Sequence, residues 1–144
     1  MPITWSSQLE TGIRQIDLQH EELVAMINAA EAAYAKGEET LALQEILPRL
    51  AAYVLFHFAT EEALLDNGAG LQHAISHRNA HMEFRTRLAA MKADAVNGTP
   101  GALARLLDYL QVWLFNHIMV TDKELARSVH SVSALQMQKS KPVC

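Results

Sequence analysis

Seven histidines stand against a single cysteine in this chain of 144 residues. Five of them fall with two carboxylates into a spaced set: His20, then His57 with Glu61, then His77 with His81, then His117 with Asp122. On a helix, residues four apart lie on one face, about 40° apart in azimuth, so the His57/Glu61 and His77/His81 pairs each project together. A lone histidine on an apolar stripe is ordinarily a hydrogen-bonded core residue, and a pair at four-residue spacing also arises by chance on exposed faces. The set resists that plainer reading because the apolar stripes carry no lysine or arginine to compensate Glu61, and a buried carboxylate needs a cation. A metal centre satisfies all of these groups at once. Imidazole and carboxylate without thiolate suit iron, zinc or manganese, and the number of ligands exceeds what one ion needs, so two ions sharing carboxylates fit better. Asp122 is the awkward member. Five residues after His117, it lies about 140° away on a regular helix. Either the helix deviates there, by a π-bulge or a broken last turn, or Asp122 is a solvated charge beside Lys123.

The elements that must position these groups read as four helices, with no alternating β-branched pattern of a strand. The first covers residues 17–36, with Asp17 as cap and Gly37 closing it. The second covers 40–67, with Pro48 marking a kink or a late start. The third covers 71–96. The fourth opens at Thr99-Pro100, a capping residue followed by proline at the first helical position, and runs to about residue 127. Short connections between long helices predict an all-α, up-down-up-down antiparallel four-helix bundle. The expected inward seams are Ile16, His20, Leu23, Ile27, Ala30 and Tyr34; then Leu43, Leu47, Leu50, Val54, His57, Glu61 and Leu64. They continue with His77, His81, Phe84, Leu88, Met91 and Ala95, and then Leu103, Leu106, Leu110, Trp113, His117 and Val120. The histidines lie near the starts of the first and third helices and past the middles of the second and fourth, levels that meet when neighbours run antiparallel. Residues 1–16, with Trp5, Leu9, Ile13 and Ile16, are too apolar for a free tail and are expected to lie across the helices. The bundle with this arm is expected to occupy 1–127, leaving 128–144 as a tail or helix extension.

Composition narrows the function classes. The length suits one domain. A net charge of −4 and a pI near 5.9 argue against a nucleic-acid partner. One cysteine rules out an internal disulfide framework, Cys-x2-Cys redox chemistry and thiolate clusters. No apolar run approaches a membrane span, and the first residues lack the pattern of a signal peptide, so a cytoplasmic location is expected. The Glu-x2-His pairs of ferritin-like di-iron proteins, His-Glu-x2-His and Cys-x2-Cys-His are all absent.

Taken together, these segments resemble the hemerythrins in their single-domain bacterial form. The resemblance is carried by Ile16-Asp17-Leu18-Gln19-His20 with Leu23, His57-Phe58 with Glu61-Glu62, His77-x3-His81 with Phe84, and Trp113-Leu114-x2-His117-Ile118 with Asp122-Lys123. Trp5 and Thr11-Gly12-Ile13 are similar to the family's N-terminal arm, so the likeness spans about residues 5–125. It also accounts for the His-x4-Asp spacing, which the family uses. What it implies is two non-haem iron ions, one held by His77, His81 and His117, the other by His20 and His57. Glu61, Asp122 and an oxo or hydroxo group would bridge them, leaving one ligand place open on the two-histidine ion. Phe58, Trp113, Leu114 and Ile118 match the apolar lining of the family's oxygen site, though each also serves as ordinary core packing.

The resemblance implies reversible dioxygen binding, for storage, delivery or sensing, with no catalytic residues. The alternatives are a di-iron enzyme acting on peroxide or nitric oxide, an iron store, or a structural bundle that takes up metal incidentally. No protein partner is legible. The chain departs from the family where Leu71-Gln72 replaces a common aromatic-proline pair. His73 makes the register ambiguous between 73/77 and 77/81; Phe84, three after His81, selects 77/81 and leaves His73 at the surface. Glu62 is expected to be solvated, His130 has no motif, and Cys144 is expected to be a free exposed thiol, with an intermolecular disulfide as the alternative on oxidation.

Overall fold

The computed structural model describes residues 3–68 and 70–129. Helix α1 is Arg14–Ala35. Helix α2 is led in by Glu39–Leu41 and a π-helical stretch Ala42–Ile46, and continues as Leu47–Gly68. Helix α3 is Leu71–Val96, and α4 is Ala102–Asn116, continuing through a π-helical turn His117–Asp122 and an α-helical stretch at 123–129. No strand occurs among the described residues. The architecture is the expected four-helix bundle, with α1 packed on α2 and α4, and α3 packed on α2 and α4. His130, Cys144 and the rest of 130–144 lie outside the described residues.

Two local expectations need correction. Asp17 does not cap α1. The helix starts earlier, after Ile13, and Asp17 sits in its first turn. From there its carboxylate reaches back to accept from the Thr11 amide at 2.7 Å, the Thr11 hydroxyl at 2.8 Å and the Gly12 amide at 3.2 Å. A negative charge in the first turn also suits the helix dipole, so the residue anchors the arm to the helix rather than beginning it. Pro48, where a kink or a late start is expected, is the second residue of the α-helical stretch Leu47–Gly68. It cannot donate to a carbonyl in the preceding turn, and the stretch just before it is wound as a π-helix. Helix α4 begins after Gly101 rather than at Pro100, because Gly101 takes φ +74°, a left-handed conformation that cannot continue a right-handed helix. Thr99 and Pro100 form the preceding turn, closed by the Ala102 amide on the Thr99 carbonyl at 3.0 Å.

The core follows the predicted seams, with Ile16, Leu23, Ile27, Leu50, Phe84, Leu106 and Leu110 buried. The seams drift at their ends. Tyr34 and Val120 are exposed, at 36% and 63%, and Leu65 rather than Leu64 is buried. A helix of 3.6 residues per turn rotates about 20° per heptad away from a strict seam, and at Val120 the π-turn adds to the drift. The arm lies on the bundle. Leu9 is buried, the Asn28 side chain brackets the backbone of Ile3 with bonds of 3.0 and 2.8 Å, and Lys123 donates to the Gln8 carbonyl.

Candidate metal centre

Each helix brings part of the polar cluster: His20 from α1, His57 and Glu61 from α2, His77 and His81 from α3, and His117 and Asp122 from α4. All seven are buried, none more than 4% exposed. The π-turn resolves the awkward spacing of the last pair. Its bonding runs from i to i+5, so residues five apart come to stand over one another, and His117 Nε2 lies 3.0 Å from Asp122 Oδ1.

Each carboxylate divides its two oxygens between two groups of rings. Glu61 Oε2 lies 2.8 Å from His77 Nε2, 3.0 Å from His81 Nε2 and 3.4 Å from His117 Nε2. Glu61 Oε1 lies 2.6 Å from His57 Nε2 and 3.5 Å from His20 Nε2. Asp122 repeats the division, with Oδ2 2.8 Å from His20 Nε2 and Oδ1 3.3 Å from His77 Nε2. Two metal-competent groups result: Glu61 with His77, His81 and His117, and His20 and His57 with Glu61 and Asp122. Within each group the ligand atoms lie within 4.8 Å of one another.

Whether these groups suit metal is decided by how they meet. Despite the short approaches, Glu61 Oε1 and both oxygens of Asp122 have no aligned hydrogen-bond partner. Ring nitrogens and carboxylate oxygens from four helices crowd into two compact groups. That is the arrangement of a ligand set, because buried carboxylate oxygens left without a partner are costly.

Electrostatics carry the same signature. Burial pushes the His20 imidazolium down, but contact with Asp122 and Glu61 outweighs it and lifts the pKa to about 9. Burial likewise opposes the charge of His117, and Asp122 and Glu61 raise it to about 10. His77 is raised against burial by the same two carboxylates. His81 goes the other way, because burial prevails over its contact with Glu61. Burial and the Glu61 charge push Asp122 up, and His117 and His20 hold it down to about 2. Glu61, fully buried, is held well below the carboxylate range by the surrounding rings, His57 foremost. In place of lysine or arginine, protons on the rings balance the two carboxylates, and those are the charges a bound cation replaces.

Apolar groups wall the cluster. Phe58 stacks on His81 at 3.7 Å and 7°, Trp113 stacks on His117 at 4.3 Å and 15°, and Phe84 stacks on Trp113 at 4.0 Å. Among the histidine rings, the closest to Phe58 and to Trp113 thus belong to the three-histidine group. Phe58, Leu114 and Ile118 are buried, and Trp113 is half-buried. His117 also borders an open groove of 470 Å³ shared with Arg87, Tyr109, Asn116 and Thr121.

Membership of the family follows from comparison with known proteins. The family model described as "Hemerythrin HHE cation binding domain" matches residues 11–129, a span that contains all seven cluster residues. The chain belongs to the hemerythrin family. It is 37% identical to a bacteriohemerythrin of Pseudomonas paraeruginosa over 146 aligned positions, covering 96% of this chain and 89% of the relative. It is 31% identical to a bacteriohemerythrin of Stenotrophomonas maltophilia, covering 88% of this chain and 81% of the relative. Myohemerythrin-1 of Phascolopsis gouldii matches at 27%, with 84% and 89% covered. Membership implies a non-haem di-iron centre, and the His/Glu/Asp cluster is one that can take metal.

Within this hemerythrin bundle the third histidine of α3 is not at the surface. The His73 side chain is 11% exposed, its ring sits edge-on to His77 at 5.5 Å, and Nδ1 lies 3.4 Å from Glu124. It joins neither metal-competent group. Glu62 is also less solvated than expected. Its side chain is 27% exposed, with Oε1 3.6 Å from His81 Nδ1 and Oε2 3.9 Å from Arg85. Gln19, one residue before His20 and not foreseen as part of the site, is buried and accepts from His57 Nδ1 at 2.7 Å. A glutamine beside a seam histidine is a signal in itself, because its burial demands partners.

Proposed function

We propose that this protein binds dioxygen reversibly at two iron ions held by its seven-residue cluster. His77, His81 and His117 would hold one ion, His20 and His57 the other, and Glu61 and Asp122 would bridge them. The observation that carries this reading is the division of both carboxylates: one oxygen of each faces each group of rings. When bound, the iron pair supplies two reducing equivalents and one open ligand place for dioxygen. The chain's own residues do the remainder. The rings offer Nε2 atoms from four helices, so the site keeps its dimensions only while the bundle is intact. Phe58, Trp113, Leu114 and Ile118 present no proton donor close to the cluster apart from the half-buried Trp113 indole, and a dry apolar wall favours release of oxygen over onward chemistry. That lining supports a carrier, store or sensor over an enzyme, which would need a donor at the reacting atoms.

The test is iron analysis and a visible spectrum of the purified protein under air, after deoxygenation and after re-exposure. About two irons per chain are expected, as for a di-iron bundle, with charge-transfer absorption that disappears without oxygen and returns with it. A colourless zinc protein would overturn the proposal. Irreversible bleaching with turnover of peroxide or nitric oxide would replace it with the enzyme reading.

A further inference from the structure

Burying a glutamine costs free energy unless both ends of its amide are satisfied. Gln19 is 5% exposed and lies one residue before His20, on the flank of α1 that meets α2. Its Oε1 is 2.7 Å from His57 Nδ1. Its Nε2 donates to Thr60 Oγ1 at 3.0 Å. The Thr60 hydroxyl donates in turn to the Phe56 carbonyl at 3.2 Å. This chain has a direction, and it is set at the far end. A hydroxyl that gives its one proton to a carbonyl has only lone pairs left for Gln19, so Gln19 must turn its NH2 toward Thr60 and its oxygen toward His57. His57 must then carry a proton on Nδ1, and Nε2 is left as the atom that faces Glu61 and the candidate centre. The Nδ1 atoms of His20, His77 and His81 are buried without any hydrogen-bond partner, so His57 is distinguished from these three by a partner that dictates its tautomer.

We propose that Gln19 is a positioning residue of the centre: anchored through Thr60, it holds the Nδ1–H edge of His57 and so turns Nε2 toward Glu61 and the candidate centre. Its neutrality matters as much as its oxygen. A carboxylate in its place would draw the Nδ1 proton, strengthen the ring as a donor and favour the ferric ion; an amide fixes the ring without that bias. The inference rests on the reading of His57 as an iron ligand, and it assigns to the two-histidine ion a neutral partner chain that keeps its ferrous form accessible.

The experiment compares Gln19→Leu, Gln19→Glu and Thr60→Val with the intact sequence, using two readouts. In the metal-free proteins, long-range imidazole 1H–15N correlation spectra report which nitrogen of His57 carries the proton. The intact protein should show Nδ1–H. Gln19→Leu, having lost the acceptor, should lose the hydrogen-bonded Nδ1–H signal. Gln19→Glu should restore Nδ1–H, and Thr60→Val, by freeing the amide to flip, should give a mixture. In the iron-loaded proteins, Gln19→Leu should weaken iron binding by roughly ten- to a hundred-fold, the usual effect of losing such a partner. Gln19→Glu should keep both irons and shift the ferric/ferrous midpoint potential to lower values. A hydrogen-bonded Nδ1–H signal that persists in Gln19→Leu, or a midpoint potential unmoved in Gln19→Glu, overturns the inference. If Gln19→Leu does not fold, Thr60→Val and Gln19→Glu still decide it. The two proposals fail separately. Absence of an iron pair in the intact protein removes the oxygen-binding reading and leaves the tautomer result standing. Normal oxygen cycling with that signal persisting in Gln19→Leu removes the Gln19 inference alone.

Discussion

At the scale of the residue, Glu61 holds the central position, because its two oxygens are shared between both groups of rings. Under the proposed arrangement, removing it takes a ligand from each ion. Glu61→Ala should therefore strip both irons, whereas His73→Ala, although it removes a ring 5.5 Å from His77, should leave iron content unchanged. Iron quantification of the two purified variants checks both outcomes, and loss of iron from His73→Ala would shift the α3 register to 73/77. The identities of the ligand candidates were legible in the linear sequence because histidines and a glutamate on apolar stripes violate the rule that buried charge needs compensation. Gln19 and Glu62 were not given their roles. Their contacts, 2.7 Å to His57 and 3.6 Å to His81, are made between helices, and no spacing along one helix encodes them.

At the scale of the element, the π-turn His117–Asp122 decides whether α4 contributes one group or two. Sequence spacing alone left Asp122 about 140° from His117, with either a helix deviation or solvation to explain it. The observed turn selects the first. A π-turn is an α-helix carrying one extra residue, so its length can be tested directly. Deleting Val120, which is exposed, should return the segment to α-helical winding with His117 and Asp122 four apart on one face, and both irons should remain. Inserting an alanine after Val120 should rotate Asp122 by about 100° and sharply reduce iron content. Metal analysis of the two variants, with circular dichroism to show retained helix, distinguishes the cases. Helix existence was readable from hydrophobic periodicity. The starts of α1 and α4 were not, because Asp17 bonds backward to Thr11 and Gly101 takes a left-handed φ. Both are choices among locally plausible turns.

At the scale of the whole molecule, the bundle buries two carboxylates and balances them with protons when no cation is present. His20, raised to about 9, and His117, raised to about 10, are both protonated at neutral pH in the metal-free chain. Loading with ferrous ion at pH 7 should release those two protons, measurable by pH-stat or an indicator dye in weak buffer. Uptake of iron without proton release would contradict the charge balance. The same groups set the pH dependence of the metal-free fold. A histidine whose folded pKa lies above its ordinary 6.5 stabilises fully below that value, and the contribution is lost as pH rises through the folded pKa. Asp122, held at about 2 against an ordinary 3.8, contributes above 3.8 and loses that contribution as pH falls through about 2. Thermal unfolding of the metal-free protein should therefore show a midpoint that falls between pH 7 and pH 10, and iron-loaded protein should show a higher midpoint than metal-free protein at neutral pH.

The linear sequence by itself determined the helical class, the stripes that face inward and the chemistry of the buried set, because periodicity and residue type are local properties. Only the tertiary structure decided how the set is divided. Which carboxylate oxygen faces which ring, which side chain meets Nδ1 of His57, and whether His73 is inside or outside the cluster depend on the relative depth and rotation of four separate helices. Those are fixed by packing between helices, where an axial shift of 1.5 Å per residue or a rotation of about 100° exchanges one side chain for another.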